Sequence, residues 1–150
     1  MKSKHFYQKF GFINRMWLWI MALITVIAFG SCAQKVTFLT STVVPAARGY
    51  VKIKKDDNKN YNIEVKLLYL AEVNRIQPSK ETYIVWMLTD QELVKNIGQV
   101  KSSTSYFSKD LKGSLETVSS FKPCKIFITA EEFAETQVPS SKVVLTTERF

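Results

Sequence analysis

Histidine and cysteine, the side chains that most often provide nucleophilic catalysis and zinc binding, are scarce in this sequence. The 150-residue chain has one histidine, His5, and two cysteines, Cys32 and Cys124. Without a histidine after residue 5, the rest of the chain cannot form a Ser-His-Asp triad or a Cys-His pair, and it has no ligands for a His-containing zinc or copper site. Only three glycines follow residue 31, and none lies in a Gly-rich phosphate-binding loop. We therefore predict no enzyme activity, no catalytic residues and no cofactor.

Acidic side chains form two small groups in which cation binding can be considered. Three glutamates lie within residues 131–135, and the sequence Asp-Asp-Asn-Lys-Asn occupies residues 56–60. Calcium prefers several oxygen ligands, but the glutamate group has no Asp or Asn at the spacing of a calcium loop. The 56–60 group is typical of a polar turn that joins two hairpin strands. We expect solvated turns at both places and no metal site.

The first 31 residues have the pattern of a signal peptide. Residues 1–15 contain four basic and no acidic residues, and residues 16–29 (MWLWIMALITVIAF) form an unbroken apolar run. A helix of this length extends about 21 Å, whereas the hydrocarbon core of a bilayer is about 30 Å thick. A basic start, a short apolar helix and small residues at its end favour a cleaved signal peptide over a stable membrane anchor.

The end of this segment, Phe29-Gly30-Ser31-Cys32, resembles the bacterial lipobox. The resemblance implies cleavage between Ser31 and Cys32 and lipid attachment at Cys32, so that residues 32–35 form a lipidated tether to the membrane. One acyl chain anchors a protein only marginally, and bacterial lipoproteins resemble the multiply acylated, stable case. No acidic run follows Cys32, which favours a periplasm-facing location in the cell envelope. An uncleaved signal anchor and plain secretion are the alternatives.

Assigning the leader in this way changes the interpretation of the remaining residues. The net charge of +8 includes four basic residues of the leader, and residues 32–150 contain 17 basic and 13 acidic residues. Basic residues cluster only at Lys52, Lys54 and Lys55, so we expect no nucleic-acid partner. With Cys32 lipidated, Cys124 has no cysteine to pair with. We expect it to be a small buried hydrophobic residue, with an intermolecular disulfide or a reactive thiol as the alternative.

Residues 36–150 have the pattern of one all-β domain of seven or eight strands. Alternating apolar and polar residues predict half-buried strands, for example at 61–67, and turn-forming residues separate the strands. Residues 102–120 are rich in Ser and Thr and predict a loop with a short strand inside. No sustained helical periodicity follows the leader, and the spacing favours an antiparallel two-sheet sandwich. The predicted strands are 36–39, 49–54, 61–67, 83–88, 94–101, a short strand within 102–120, 125–130 and 143–147.

The run Tyr-Ile-Val-Trp-Met-Leu at residues 83–88 is the most apolar segment after the leader. Six apolar residues bounded by turns predict a strand that is covered on both faces. We therefore interpret Trp86 as a core residue rather than a ligand platform. Tyr106 and Phe107 lie in a polar loop and are the best candidates for a binding loop, although such a pair also often fixes a loop to its sheet.

With this strand as its most recognisable part, the segment of roughly residues 36–150 resembles the C-terminal extracytoplasmic domain of bacterial anti-sigma-K factors. The resemblance rests on the strand 82–88 with Tyr83 and Trp86, the glycine-bearing strand 96–100, and the strand 126–131 that leads into an acidic turn. Pro139 and the Val-rich last strand also match, and residues 45–49 match the domain's usual opening. The resemblance implies an Ig-like β-sandwich and a role in envelope sensing or protein interaction. The family's sigma-binding half, with its zinc-type His/Cys cluster, has no counterpart here, so sigma inhibition is not implied.

Two functions from different classes follow from these features. The first is a non-catalytic, membrane-anchored envelope lipoprotein whose sandwich binds an envelope protein or senses the state of the envelope. The second is a module that binds a small ligand or carbohydrate through exposed aromatic residues. The candidates for the second are Tyr50, Tyr61, Tyr106 and Phe107.

Overall fold

The computed structural model describes residues 33–104 and 111–150, together with Trp17. The predicted signal-peptide helix, the cleavage position between Ser31 and Cys32, and the loop residues Tyr106 and Phe107 lie outside the described residues. Residues 33–150 belong to one compact unit. All statements on structure below refer to this unit.

The described chain forms nine strands and one 3-10 turn, Val73–Arg75. The strands are β1 Gln34–Thr37, β2 Arg48–Lys55, β3 Tyr61–Leu68, β4 Thr82–Thr89, β5 Val94–Gln99, β6 Lys101–Thr104, β7 Leu111–Ser119, β8 Pro123–Glu131 and β9 Val143–Thr146. Sheet A has the strand order β1-β2-β3-β7-β6, and sheet B has the order β5-β4-β8-β9. All pairings are antiparallel.

This arrangement confirms the predicted all-β, Ig-like sandwich. The order β2-β3-β7-β6 corresponds to strands A, B, E and D of an immunoglobulin domain, and β4-β8-β9 corresponds to strands C, F and G. β5 extends the second sheet as strand C′ does, and β1 adds an edge strand to the first sheet. The predicted strand 94–101 is divided into β5 and β6, which belong to different sheets, and this raises the strand number above the predicted seven or eight.

The core lies between the two sheets and follows the period of two in each strand. Sheet A contributes inward residues such as Val51, Ile63 and Val65, all at most 1% exposed. Sheet B contributes Val85, Met87, Ile126 and Ile128, which are fully buried in the same cluster. Side chains of successive strand residues point to opposite faces of a sheet. The residues that alternate with these core residues along each strand therefore point to an outer face of the sandwich.

The prediction of a loop with a short strand at 102–120 was wrong, because this region contains the nine-residue strand β7. β7 pairs along its length with the predicted strand β3. Its alternation is weak in the sequence because one inward position is Gly113. A Cβ atom there would lie 2.5 Å from Cγ1 of Val100, so close packing at this position excludes the apolar side chain that would have made the strand recognisable.

The two ends of the sandwich differ in what they carry. The base contains Ala33, where the described chain begins next to β1, and the turns 56–60, 90–93 and 120–122. The loop end contains long connections between strands: residues 38–47 between β1 and β2, 69–81 between β3 and β4, and 132–142 between β8 and β9. The last two correspond to the connections B–C and F–G of an immunoglobulin domain.

Candidate binding end and the strap over sheet B

Trp86 is fully buried, as predicted, but not between the sheets. Its strand neighbours Val85 and Met87 belong to the core cluster, whereas Trp86 and Ile84 do not. Trp86 therefore lies on the outer face of sheet B, next to Phe127 on β8, with ring centroids 6.4 Å apart. Its zero exposure requires a cover on that face, which the segment between β8 and β9 provides. We call residues 132–142 the strap.

A chain of polar contacts joins Trp86 to the strap. The indole Nε1–H of Trp86 donates to Oγ1 of Thr129 at 2.7 Å, and the hydroxyl of Thr129 donates to Oε1 of Glu131 at 2.5 Å. The same carboxylate oxygen accepts the backbone N–H of Ser140 at 2.8 Å. Because Glu131 is only 5% exposed, the prediction of a solvated turn was wrong for this residue. A buried carboxylate is tolerated when donors of this kind satisfy it.

Asn96 holds the strap from the opposite edge of sheet B. Its side-chain amide donates to the carbonyl oxygens of Ala134 and Thr136, both at 2.9 Å. Its Oδ1 accepts the backbone N–H of Gly98 at 3.0 Å. The strap therefore crosses from β8 over β4 to β5 before it returns to β9. This role could not be predicted from the sequence, because one Asn within a predicted strand is indistinguishable from an outward polar residue.

The strap is also tied to the connection between β3 and β4. Lys80 forms an ion pair with Glu132, with Nζ and Oε1 3.1 Å apart. Lys142 donates to the carbonyl oxygen of Gln77 at 2.5 Å. Two of the three connections at the loop end are thus linked to each other, and movement of one would break contacts of the other.

A pocket of about 360 Å³ opens at the loop end beside this connection. Its apolar lining includes Leu70, Val73 and Val100, and its rim includes Glu72 and Lys112. Pockets for small ligands usually start near this volume and combine an apolar lining with a few polar groups.

Tyr83 forms part of the same pocket and is held firmly in place. Its hydroxyl donates to the carbonyl oxygen of Ala71 at 2.8 Å. Burial raises the pKa of Tyr83 to about 12, so the phenol remains protonated and a donor at neutral pH. Since this donor is already used within the chain, Tyr83 shapes the wall of the pocket rather than offering a free polar group.

The aromatic residues considered as a carbohydrate platform are not brought together. Tyr50 lies on the outer face of sheet A, where the ammonium group of Lys35 is 4.0 Å from its ring centroid. The side chain of Tyr61 points to the inner face of sheet A and packs against the core. These two rings therefore do not share a surface. Tyr106 and Phe107, the other two candidates, lie outside the described residues.

Cys124 is half-buried at the base rather than fully buried. Its Sγ lies 3.1 Å from the carbonyl oxygen of Thr89 and 3.8 Å from Nη2 of Arg149.

Asp56, in the turn of the β2–β3 hairpin, accepts a hydrogen bond from the backbone N–H of Asn60 at 2.8 Å. This contact closes the turn.

The described residues contain neither a metal-ligand cluster nor a membrane-spanning helix. Within residues 33–104 and 111–150 and at Trp17, no group of three or more His, Cys, Asp or Glu side chains is placed to hold a metal ion. In the same part of the chain, no helix is long and apolar enough to span a membrane. Comparison of the sequence and structure with protein-family models, curated proteins and solved structures finds no match.

Proposed function

We propose that this protein is a non-catalytic envelope lipoprotein, held on a membrane by lipid at Cys32, whose sandwich binds another envelope protein through its loop end. The observation that carries the proposal is what lies at each of the two ends of the sandwich, the base and the loop end. The described chain begins at the base, and the three long connections gather at the opposite end. A lipid attached just before Ala33 would hold the base at the membrane and direct the loop end away from it.

The linked connections at the loop end support a role in recognition. Binding residues are often found on connections that a rigid sheet scaffold positions. Here the strap and the 69–81 connection are linked through Lys80, Glu132 and Lys142, so the surface is preorganised. The segments that carry the resemblance to the anti-sigma-K domain include Trp86 and Asn96, which hold the strap. A relationship to that domain, and a periplasm-facing location, are part of the proposal.

The alternative is a module for a small ligand or carbohydrate, and the pocket of about 360 Å³ at the loop end favours it. Both functions use the same end of the sandwich. They differ in the size of the partner and in whether residues around the pocket or only those inside it are needed.

The lipid anchor is tested by labelling cells with palmitate. We expect the full chain to incorporate the label, Cys32→Ala to remain an unlabelled precursor, and Cys124→Ala to be labelled like the wild type. The second variant is a matched control because it removes the other cysteine. Label in Cys32→Ala, or none in the wild type, would disprove the anchor at Cys32.

The binding end is tested by crosslinking in intact cells, followed by purification of the full chain. We expect a specific protein adduct that is lost in the double variant Glu72→Lys/Lys112→Glu at the loop end. Lys122→Glu at the base is the control and should leave the adduct unchanged. Saccharide binding in the absence of any protein adduct would instead support the alternative. An adduct that is lost only with the base variant would contradict both assignments.

A further inference from the structure

No connection within the described residues crosses the outer face of sheet A as the strap crosses sheet B, and the charges on this face follow a regular order across the strands. The register aligns Lys35 of β1 with Lys52 of β2, Lys52 with Glu64 of β3, and Glu64 with Glu116 of β7. All four side chains point outward, because the inward positions of these strands are taken by core residues such as Val51 and Val65. One row across four strands therefore has the charge order plus, plus, minus, minus.

This order changes sign at the line between β2 and β3. A rotation of 180° about an axis parallel to the strands and above that line brings each position of the row opposite its mirror position. Lys52 then faces Glu64 of a second copy, and Lys35 faces Glu116. The row is thus complementary to itself, which is the property that a two-fold interface requires.

The neighbouring rows fit the same rotation. Tyr50 is aligned with Lys66, and Lys54 is aligned with Asn62. The rotation places Tyr50 opposite Lys66 of the second copy, a pair that can form a cation–π contact. It places Lys54 opposite Asn62, so it brings no two like charges together in these rows. The face is also shallowly concave, with a volume of about 430 Å³ over Lys52, Asn62 and Glu116.

Glu64, one of the two glutamates of the row, is held in its charged form by a neighbouring lysine. Oε1 of Glu64 lies 2.5 Å from Nζ of Lys66. The hydrogen bond from Lys66, together with the nearby charges of Lys66 and Lys52, lowers the pKa of Glu64. Its carboxylate is therefore anionic at neutral pH and available to a cationic side chain from above.

We propose that the outer face of sheet A binds the same face of a second copy of this chain, about a two-fold axis parallel to the strands. This axis leaves the bases of both copies at the same end of the dimer. If the lipid anchor of the proposed function holds, both copies can therefore be attached to one membrane, where the raised effective concentration favours pairing. The pairing is electrostatic, so added salt weakens it.

Charge reversal provides a test that a purely structural effect cannot imitate. Full-length chains with two different C-terminal affinity tags are co-expressed, and the amount of one that co-purifies with the other is measured. Like charges across an interface are strongly unfavourable, so we expect Lys52→Glu to reduce pairing with itself by about tenfold, and Glu64→Lys to do the same. Lys52→Glu co-expressed with Glu64→Lys should restore pairing, because all opposed positions are then complementary again.

Two further measurements make the result decisive. Unfolding of each variant is followed by circular dichroism, and Lys35→Glu with Glu116→Lys repeats the test at exposed positions that form no ion pair in the described part of the chain. The proposal is overturned if folded single variants pair like the wild type or if neither mixed combination recovers pairing. Repeating the measurement with Cys32→Ala separates this result from the anchor, because the interface itself does not need the lipid.

Discussion

The two outer faces of this sandwich are built from the same kind of strand but have opposite surroundings. On sheet A, the outward residues are charged and exposed, as at Lys52 and Glu116. On sheet B, the outward residues Ile84 and Trp86 are fully buried beneath the strap. A face of one sheet can thus serve as a second core when a connection of the chain covers it, while the other face remains free to bind a partner.

The difference is visible in how each face satisfies its polar groups. The open face, which is the outer face of sheet A, has solvent-exposed ion pairs such as the one between Glu64 and Lys66. Ion pairs of this kind contribute little to stability. The covered face, the outer face of sheet B, uses shielded hydrogen bonds: Trp86 donates to Thr129, and both Thr129 and the backbone N–H of Ser140 in the strap donate to Glu131. Because a buried group that loses its partner is expensive, substitutions on the covered face should have much larger effects on stability.

The largest effect is expected at Trp86. Replacing a fully buried Trp with Ala costs about 3–5 kcal/mol, so Trp86→Ala should lower the free energy of unfolding by that amount and loosen the strap. The measurements are chemical denaturation and hydrogen exchange of residues 132–142. Tyr50→Ala, an aromatic truncation on the open face, is the matched control and should cost less than about 1 kcal/mol. Equal losses for the two variants would disprove the contrast between the faces.

A smaller effect is expected at Glu131. Glu131→Ala removes the acceptor for Thr129 and for the N–H of Ser140, and the loss of a charged acceptor from buried donors costs about 2 kcal/mol. Glu132→Ala is the control in the adjacent residue, because its ion pair with Lys80 is exposed and should contribute below about 1 kcal/mol. Both are measured by urea denaturation. A loss at Glu132 that matches the loss at Glu131 would show that the buried contacts do not hold the strap.

The sequence predicted the sandwich and the burial of both faces of the strand 83–88. An apolar run indicates a strand that is covered on both faces, and period-two alternation indicates a strand that is covered on one face. The sequence did not predict what covers the outer face of sheet B. The strap is a mostly polar segment, and its fastening residues Asn96 and Glu131 resemble ordinary strand and turn residues until the fold brings them close to it. The strand β7 was missed for a related reason, since Gly113 fills an inward position where tight packing leaves no room for a side chain.

The order of charges on sheet A could not be obtained from the sequence either. The row is formed by four residues from separate strands, Lys35, Lys52, Glu64 and Glu116. A shift of one residue in any strand pairing would send a side chain to the opposite face of the sheet. Only the register of β1, β2, β3 and β7 places these four residues in one row. A recognition surface built across strands in this way has no local motif.

The smallest effect is expected for the ion pair on the open face. Lys66→Gln removes the hydrogen bond and the positive charge that lower the pKa of Glu64, so this carboxyl group should titrate closer to its ordinary value of 4.5, as followed by NMR. Because folding lowers this pKa, the pair's contribution to stability is present above the unfolded value and disappears as the pH falls through the lower folded value. Acid unfolding of Lys66→Gln should therefore differ from the wild type only slightly, and only in that acidic range. A large difference at neutral pH would mean that the open face contributes to stability as the covered face does.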